Sequence, residues 1–139
     1  FDSMRMLADD DGLALPVMMH PAFVGSYVTS PTNGFSHYAL FGQVARLAGA
    51  DATIYPNWGG RFSFSKQECI SIVAGSHDPM GQIKSIFPTP GGGMTFDRIP
   101  EMLEVYGRDV IFLMGGGLHR IAENLVKSSQ MMREMVEKI

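Results

Sequence analysis

The sequence is poor in cysteine, in basic charge and in long apolar runs, and each shortage excludes a class of protein. Cys69 is the single cysteine among 139 residues, so the chain can form neither an internal disulfide nor a cysteine-rich zinc site, and a reducing compartment fits. A formal net charge of −3 leaves no basic footprint for nucleic acid. The longest proline-free apolar run, residues 110–114, is far shorter than the roughly 20 residues of a membrane helix. We therefore expect a cytoplasmic protein that binds neither nucleic acid nor a membrane.

The composition is that of a packed globular domain. Hydrophobic residues make up 45% of the chain and charged residues 18%, a balance that favours a buried core over disorder. A length of 139 residues is enough for one domain or for part of one. Since the first residue is Phe1 rather than methionine, we expect the chain to begin inside a longer reading frame or to have been trimmed.

Short apolar segments alternate with helical patterns along the chain. Strands are predicted at residues 13–19, 52–56, 83–87 and 109–114. Helices are predicted at residues 34–48, 65–75, 97–106 and 118–138, with the tail of another helix in residues 1–10. Four strands that are each followed by a helix predict an α/β fold with a parallel sheet of right-handed βαβ units. An open doubly wound sheet and half of a (β/α)₈ barrel both match this order.

Local signals set the predicted helix ends. Ser65 and Glu68 have the spacing of a capping box, and Asp97 is predicted to cap the third helix. Gly49 and Gly107 are predicted to end the helices that precede them.

Three consecutive glycines follow each of the last two predicted strands, in "PTPGGGM" and "MGGGLHR". Parallel α/β enzymes work at the carboxyl ends of their strands. Backbone N–H groups of Gly91–Gly93 and Gly115–Gly117, at neighbouring strand ends, would converge on one anion. The alternative is that the glycines only permit tight turns.

Polar residues near the ends of the first two strands are candidates for contacting the reacting end of a substrate. His20 could act as a general acid or base or hydrogen-bond a substrate, or it could be a packed histidine under a loop. Arg61, in the loop of residues 57–64, could clamp a phosphate or an enolate oxygen, or simply face solvent. His119 and Arg120 could contact phosphate or lie at the surface. No histidines and carboxylates fall at metal-ligand spacing, so the sequence predicts no metal site within the chain.

Four strand-end motifs, taken in order, resemble the C-terminal half of the RuBisCO large-chain family. They are "MMHPAF", "GADATIYPNWGGRF", "PTPGGGM" and "MGGGLHR". Longer phrases, "SHYALFGQVARLAGADATIYPN" and "IPEMLEVYGRDVIFL", are closest to the RuBisCO-like proteins of that family. The resemblance covers nearly the whole chain and implies strands five to eight of a (β/α)₈ barrel, so that residues 1–139 would be the second half of the barrel without the N-terminal domain and first strands.

The resemblance implies altered chemistry at the reacting end of the site. His20 corresponds to the family's active-site histidine after strand five, whereas Pro21 stands where carboxylases have a phosphate-binding arginine. Ile54 replaces another phosphate-contacting histidine. Gly60-Arg61 occupies the place of the Gly-Lys whose lysine orients carbon dioxide. These differences argue against carboxylation of a bisphosphate.

The resemblance also implies that one phosphate cradle is retained. Gly91–Gly93 stand where carboxylases have Ser-Gly-Gly, and Gly115–Gly117 match their triple glycine. Phosphate is therefore expected at Gly92, Gly93, Gly115 and Gly116, with Asn57, Gly91 and Gly117 as further substrate contacts.

Family members without carboxylase activity imply a function for the intact protein. They enolise or isomerise sugar monophosphates such as methylthioribulose phosphate of methionine salvage, and others act on sugar-acid phosphates as decarboxylases or related lyases. The resemblance places Mg²⁺ on ligands that lie outside these 139 residues. The chain alone is then expected to be catalytically incomplete, and to pair with the remainder of the same polypeptide or with a second copy as a homo-oligomer.

Overall fold

The computed structural model describes residues 1–62 and 64–139 and has an α/β fold built on a parallel sheet. The strands are β1 (Met18–Met19), β2 (Ala52–Pro56) and β3 (Phe87–Gly91), in the spatial order β1-β2-β3. The α-helices are α1 (Asp2–Ala8), α2 (Gly25–Val28), α3 (Ala45–Leu47), α4 (Lys66–His77), α5 (Ile99–Tyr106) and α6 (Leu125–Val136). A π-helix, Tyr38–Val44, runs directly into α3, and 3₁₀ turns occupy Phe96–Arg98 and Leu118–Arg120. The predicted loop of residues 57–64 includes residue 63, which lies outside the described residues.

The predicted strand at residues 52–56 is confirmed, and the first and third strands differ from their predictions. Only Met18–Met19 of residues 13–19 pairs with β2, because Pro16 has no N–H to donate and Ala14 takes a φ of 46°. The third strand is Phe87–Gly91 rather than residues 83–87, since Ile83 is drawn into a turn in which it bridges Met80.

The predicted fourth strand, residues 109–114, is reduced to a single bridge between Leu113 and Gly91. Ile111 and Leu113 donate their N–H groups to the carbonyl oxygens of Pro88 and Pro90, at 3.0 and 3.2 Å. Proline has no N–H, so Pro88 and Pro90 return no bond to the fourth strand and the ladder lacks part of its hydrogen bonds. The segment, named here the fourth segment (residues 109–114), nevertheless runs parallel to β3.

The helix signals around α3 and α4 are confirmed in part. The predicted helix at residues 34–48 is helical from Tyr38 to Leu47, mostly as a π-helix, and it is followed by Gly49 at a φ of 86° as expected. The capping box is present, because the Ser65 hydroxyl accepts the Glu68 N–H and the Glu68 carboxylate accepts the Ser65 N–H. The box fixes the start of α4, directly after the loop that carries Arg61.

The starts of the last two helices differ from their predictions. Asp97 caps no helix: a 3₁₀ turn follows Thr95, and α5 begins at Ile99 with a proline in its first turn. Gly107, at a φ of 72°, ends α5 as predicted. The helix predicted over residues 118–138 divides into a 3₁₀ turn and α6, because the Asn124 side chain caps α6 at the Lys127 N–H.

One face of the sheet packs on the helices and the other is open. The Tyr55 side chain is 1% exposed and packs on the helical side, where its ring contacts the ring of Tyr106 on α5 edge to face. On the opposite face the strand register aligns four exposed apolar side chains, which we name the open sheet face: Met18, Phe87, Ile111 and Leu113. Parallel sheets normally have both faces covered by other elements, so an exposed apolar face is unusual.

Within the described part of the chain, no helix has both the length and the apolar character needed to cross a membrane.

Candidate anion-binding site

The two glycine-rich loops line one cavity of about 160 Å³ at the carboxyl ends of β3 and the fourth segment. We name it the glycine cavity, and its lining residues are Gly92, Gly93, Met94, Thr95, Leu113, Gly115, Gly116, Gly117 and Arg120. The two loops meet because β3 and the fourth segment run parallel to each other and end at the same edge of the sheet. Gly91 lies at the end of β3, where Leu113 of the cavity wall bridges it.

The backbone of the glycine cavity has unused hydrogen-bond donors. The N–H groups of four lining glycines donate to no atom of the described residues: Gly93, Gly115, Gly116 and Gly117. Unpaired N–H groups on successive residues are the donors that bind oxyanions in phosphate-binding loops. Two loops that each bring such donors to one small cavity can hold an anionic group from two sides.

Glycine is required at two of these positions because the loops touch. A Cβ on Gly93, whose φ is 65°, would lie 2.7 Å from the Cα of Gly60 in the loop after β2. A Cβ on Gly117 would lie 2.2 Å from the Met94 carbonyl oxygen. The loops after β2, β3 and the fourth segment therefore form one packed layer. Tight turns alone would not require this close approach.

Arg98 joins two of these loops, and sequence reasoning missed it. Its Nη1 donates to the carbonyl oxygens of Trp58, at 3.2 Å, and of Gly93, at 3.1 Å. The guanidinium lies 5.4 Å from the centre of the Trp58 ring and 3.7 Å from a Glu101 carboxylate oxygen. No sequence signal marks this arginine, because its role depends on the path of a loop forty residues away in the chain.

The glycine cavity also has two polar side chains. Thr95 contributes a hydroxyl group that the sequence analysis did not single out. Arg120 brings the only charged side chain among the described lining residues, and its Nη2 lies 3.5 Å from the position of a Cβ on Gly116. Arg120 thus lies at the cavity rather than only at the surface.

His20 and Arg61 lie at the same edge of the sheet but not in the glycine cavity. His20 is exposed directly after β1 and lines a separate, largely apolar groove of about 460 Å³. The guanidinium of Arg61 lies 5.0 Å from the centre of the Phe62 ring. Their catalytic roles remain predictions.

Asn57 is committed to the core. It is 1% exposed, and its Oδ1 accepts a hydrogen bond of 2.6 Å from the Tyr106 hydroxyl. The backbone N–H of Asn57 donates to the Gly91 carbonyl oxygen at 2.9 Å. This bond connects the start of the Arg61 loop to the end of β3. A substrate contact by Asn57 stays a prediction, and in this conformation the side chain stabilises the core.

Four further titratable groups, in or beside the core, lie outside the lining of the glycine cavity: Tyr55, Tyr106, Cys69 and His37. Burial raises the pKa of Tyr55, Tyr106 and Cys69, so these groups stay protonated. His37 packs between the rings of Phe41 and Phe64, and burial lowers its pKa although the Glu68 carboxylate opposes the shift. All four groups pack in the layer between the sheet and the helices.

Residues 1–62 and 64–139 contain no group of three or more His, Cys, Asp or Glu residues close enough to hold a metal ion. The residues present therefore do not fit a magnesium site, and no chemical step is assigned to a metal.

Comparison with known proteins places the chain among relatives of RuBisCO. No protein-family model matches it. It is 39% identical over 110 residues to the 5-methylthioribulose-1-phosphate isomerase of Rhodospirillum rubrum, a match that spans 79% of this chain and 28% of that enzyme. It is 35% identical over 118 residues to the 2,3-diketo-5-methylthiopentyl-1-phosphate enolase of Bacillus cytotoxicus, which spans 85% of this chain and 28% of that enzyme.

The fold agrees with the sequence matches. The crystal structure of a RuBisCO-like protein from Rhodopseudomonas palustris superposes with a TM-score of 0.79 and 31% identity, over 96% of this chain and 33% of that one. The chain thus spans roughly a third of the length of the relatives that it matches. The chain belongs to the RuBisCO large-chain family, and it corresponds to the C-terminal part of the RuBisCO-like proteins.

Proposed function

We propose that the glycine cavity holds the phosphate of a sugar monophosphate, and that the protein containing this chain is a RuBisCO-like enzyme that enolises or isomerises this substrate. The observation that carries the proposal is the meeting of two glycine-rich loops, with four unused N–H donors, around one cavity. Two relatives support the substrate class, since their names specify methylthio-substituted 1-phosphates.

A phosphate held in this cavity would fix the reacting carbon. In a 2,3-diketo 1-phosphate, C1 carries the phosphate and is bonded to the C2 carbonyl, so binding the phosphate holds the C1–H bonds in place. A base removes a C1 proton, the C–H electron pair forms the C1=C2 bond, and the carbonyl oxygen becomes an enolate. Protonation on oxygen then gives the enol, whereas a proton returned to C1 regenerates the substrate. In a ketose 1-phosphate, removal of the C3 proton instead gives a C2=C3 enediolate, and protonation at C2 or on the other face of C3 gives an isomer.

His20 and Arg61 are proposed for the reacting end of the substrate. Both follow strands whose carboxyl ends lie at the same edge as the glycine cavity. Arg61 would balance negative charge on the enolate oxygen, and His20 would transfer a proton or hydrogen-bond the substrate. Arg61 replaces the lysine that the family resemblance associates with carbon dioxide, which favours enolisation over carboxylation.

The architecture of the whole protein is also a proposal. We propose that the three strands and the fourth segment are strands five to eight of a (β/α)₈ barrel, with magnesium ligands elsewhere in the same protein. The open sheet face supports this, because its four exposed apolar side chains need a cover. The remainder of the same polypeptide or a second copy would supply that cover.

The test uses the complete protein that contains this chain, incubated in deuterium oxide with each methylthio-substituted 1-phosphate in turn. Deuterium at the carbon next to the carbonyl, with enol or isomer formed, is the expected result. Release of carbon dioxide from a sugar-acid phosphate, with no exchange into either 1-phosphate, would replace the proposal with a decarboxylase. Light scattering on the 139-residue chain tests the pairing, and a stable folded monomer would contradict self-association.

A further inference from the structure

We infer that Arg120 is the charged ligand of the glycine cavity and makes it selective for a doubly charged phosphate monoester over a singly charged anion of the same shape. This inference rests on the proposed phosphate site. It assigns the charge preference to one side chain, whereas the glycines supply only neutral donors.

The geometry places Arg120 at the cavity with its guanidinium unoccupied. Its Nη2 lies 3.5 Å from the place where a Cβ on Gly116 would be, beside two of the unused N–H groups. Among the described residues, no hydrogen-bond acceptor or carboxylate pairs with the Arg120 side chain. The 3₁₀ turn Leu118–Arg120, which begins with a bond from the Leu118 N–H to the Gly115 carbonyl oxygen at 3.0 Å, holds the arginine next to the glycines.

The guanidinium groups of the two other nearby arginines, Arg98 and Arg61, already contact protein groups. Arg98 bonds to the Trp58 and Gly93 carbonyl oxygens and lies beside Glu101. Arg61 stacks on Phe62 in the loop after β2 and does not line the cavity. Arg120 is therefore the described cation best placed to meet a ligand there.

Charge gives Arg120 its effect on selectivity. The whole chain carries a formal charge of −3, and no acidic residue is among the described lining residues of the cavity. Neutral N–H donors bind a singly or a doubly charged oxyanion with similar geometry. A guanidinium adds charge-assisted hydrogen bonds whose strength grows with the charge of the oxyanion, and its planar fork matches two oxygens of one phosphate.

The experiment compares methyl phosphate with methyl sulfate, which has the same shape and one charge fewer above the second phosphate pKa of about 6. Calorimetric titrations of the 139-residue chain at pH 8 should show preference for methyl phosphate. Arg120→Gln should weaken methyl phosphate binding by about tenfold or more, and methyl sulfate binding much less, because a charge-assisted bond is lost. Arg120→Lys, which keeps the charge, should retain most of the preference. Arg108→Gln removes the same charge from an exposed residue outside the cavity and should change neither affinity.

The outcomes separate this inference from the proposed function. If Arg120→Gln binds methyl phosphate as tightly as the unmodified chain does, Arg120 is not the ligand, whereas the phosphate site stands. If Arg120→Gln and Arg108→Gln weaken binding equally, the effect is one of overall charge and the inference fails. If the unmodified chain binds neither probe, the phosphate site and the inference fail together. Arg120 is exposed, so its variants should fold, and equal thermal midpoints check this.

Discussion

Gly60 and Gly93 lie in direct backbone contact, so the loop that carries Arg61 rests on the glycine cavity. A Cβ on Gly93 would stand 2.7 Å from the Gly60 Cα, closer than side-chain atoms approach a backbone. A Cβ on Gly60 would stand 3.1 Å from the Gly92 carbonyl carbon. The position of the Arg61 loop and the shape of the cavity are therefore coupled.

Gly93→Ala tests this contact. The new methyl group meets Gly60, and a φ of 65° disfavours any side chain, so we expect a loss of roughly 1–3 kcal/mol in unfolding free energy. Methyl phosphate binding should weaken by roughly tenfold, about 1.4 kcal/mol, because the two loops must separate. Gly81→Ala is the matched control, since Gly81 has a φ of 59° and open space around it. It should lose stability but keep the affinity, and equal affinity losses in both variants would contradict the coupling.

Arg98→Gln tests the bridge between the Trp58 and Gly93 carbonyl oxygens. The variant loses both hydrogen bonds, and we expect the unfolding free energy to fall by about 1–2 kcal/mol, a discounted value because the side chain is 22% exposed. Methyl phosphate affinity should fall with it as the glycine loop loosens. Glu101→Gln removes the carboxylate beside Arg98, together with its ion pair to Lys66, and should leave the affinity unchanged. Unchanged binding in Arg98→Gln would show that the bridge serves the fold alone.

Gly116→Asp tests the charge that the glycine cavity accepts. The nearest atom to a Cβ there is the Arg120 Nη2 at 3.5 Å, so a small side chain fits without strain. An aspartate places a carboxylate beside Arg120 where the anion would bind, and methyl phosphate binding should be lost. Gly116→Asn has the same shape without the charge and should retain part of the affinity. Titrations that show the same affinity for Gly116→Asp as for the unmodified chain would refute the anion site.

Acid should destabilise the fold through His37. Burial lowers the pKa of this histidine in the folded chain, against about 6.5 when it is unfolded. The folded state therefore binds the proton less readily, and its stability is fully present above about pH 6.5 and decreases as the pH falls below that value. Urea unfolding at pH 7.5 and 5.5 measures the decrease. His37→Gln should reduce it, and an undiminished decrease in that variant would contradict the assignment to His37.

The sequence predicts the site's framework because that framework depends on short-range signals. Alternating apolar segments and helices predict a parallel sheet, and parallel strands must end at one edge, which brings the two glycine-rich loops together. The Ser65–Glu68 capping box and the ends at Gly49 and Gly107 are equally local, and the structure confirms them.

What the sequence does not predict depends on long-range geometry. Pro88 and Pro90 lie in β3 with their missing N–H groups towards the fourth segment, which shortens the predicted fourth strand. Asp97 has the residue type of a cap, but the turn after Thr95 places the helix start two residues later, at Ile99. Arg98 is found only in three dimensions, because its acceptors belong to two different loops.

The most direct measurement is a ¹H–¹⁵N NMR titration of the chain with methyl phosphate. We predict that the amide signals of the five glycines that line the glycine cavity shift together and saturate at one ligand per chain: Gly92, Gly93, Gly115, Gly116 and Gly117. Signals from only one of the two loops, or from the groove beside His20 while these glycines stay fixed, would contradict the shared anion site.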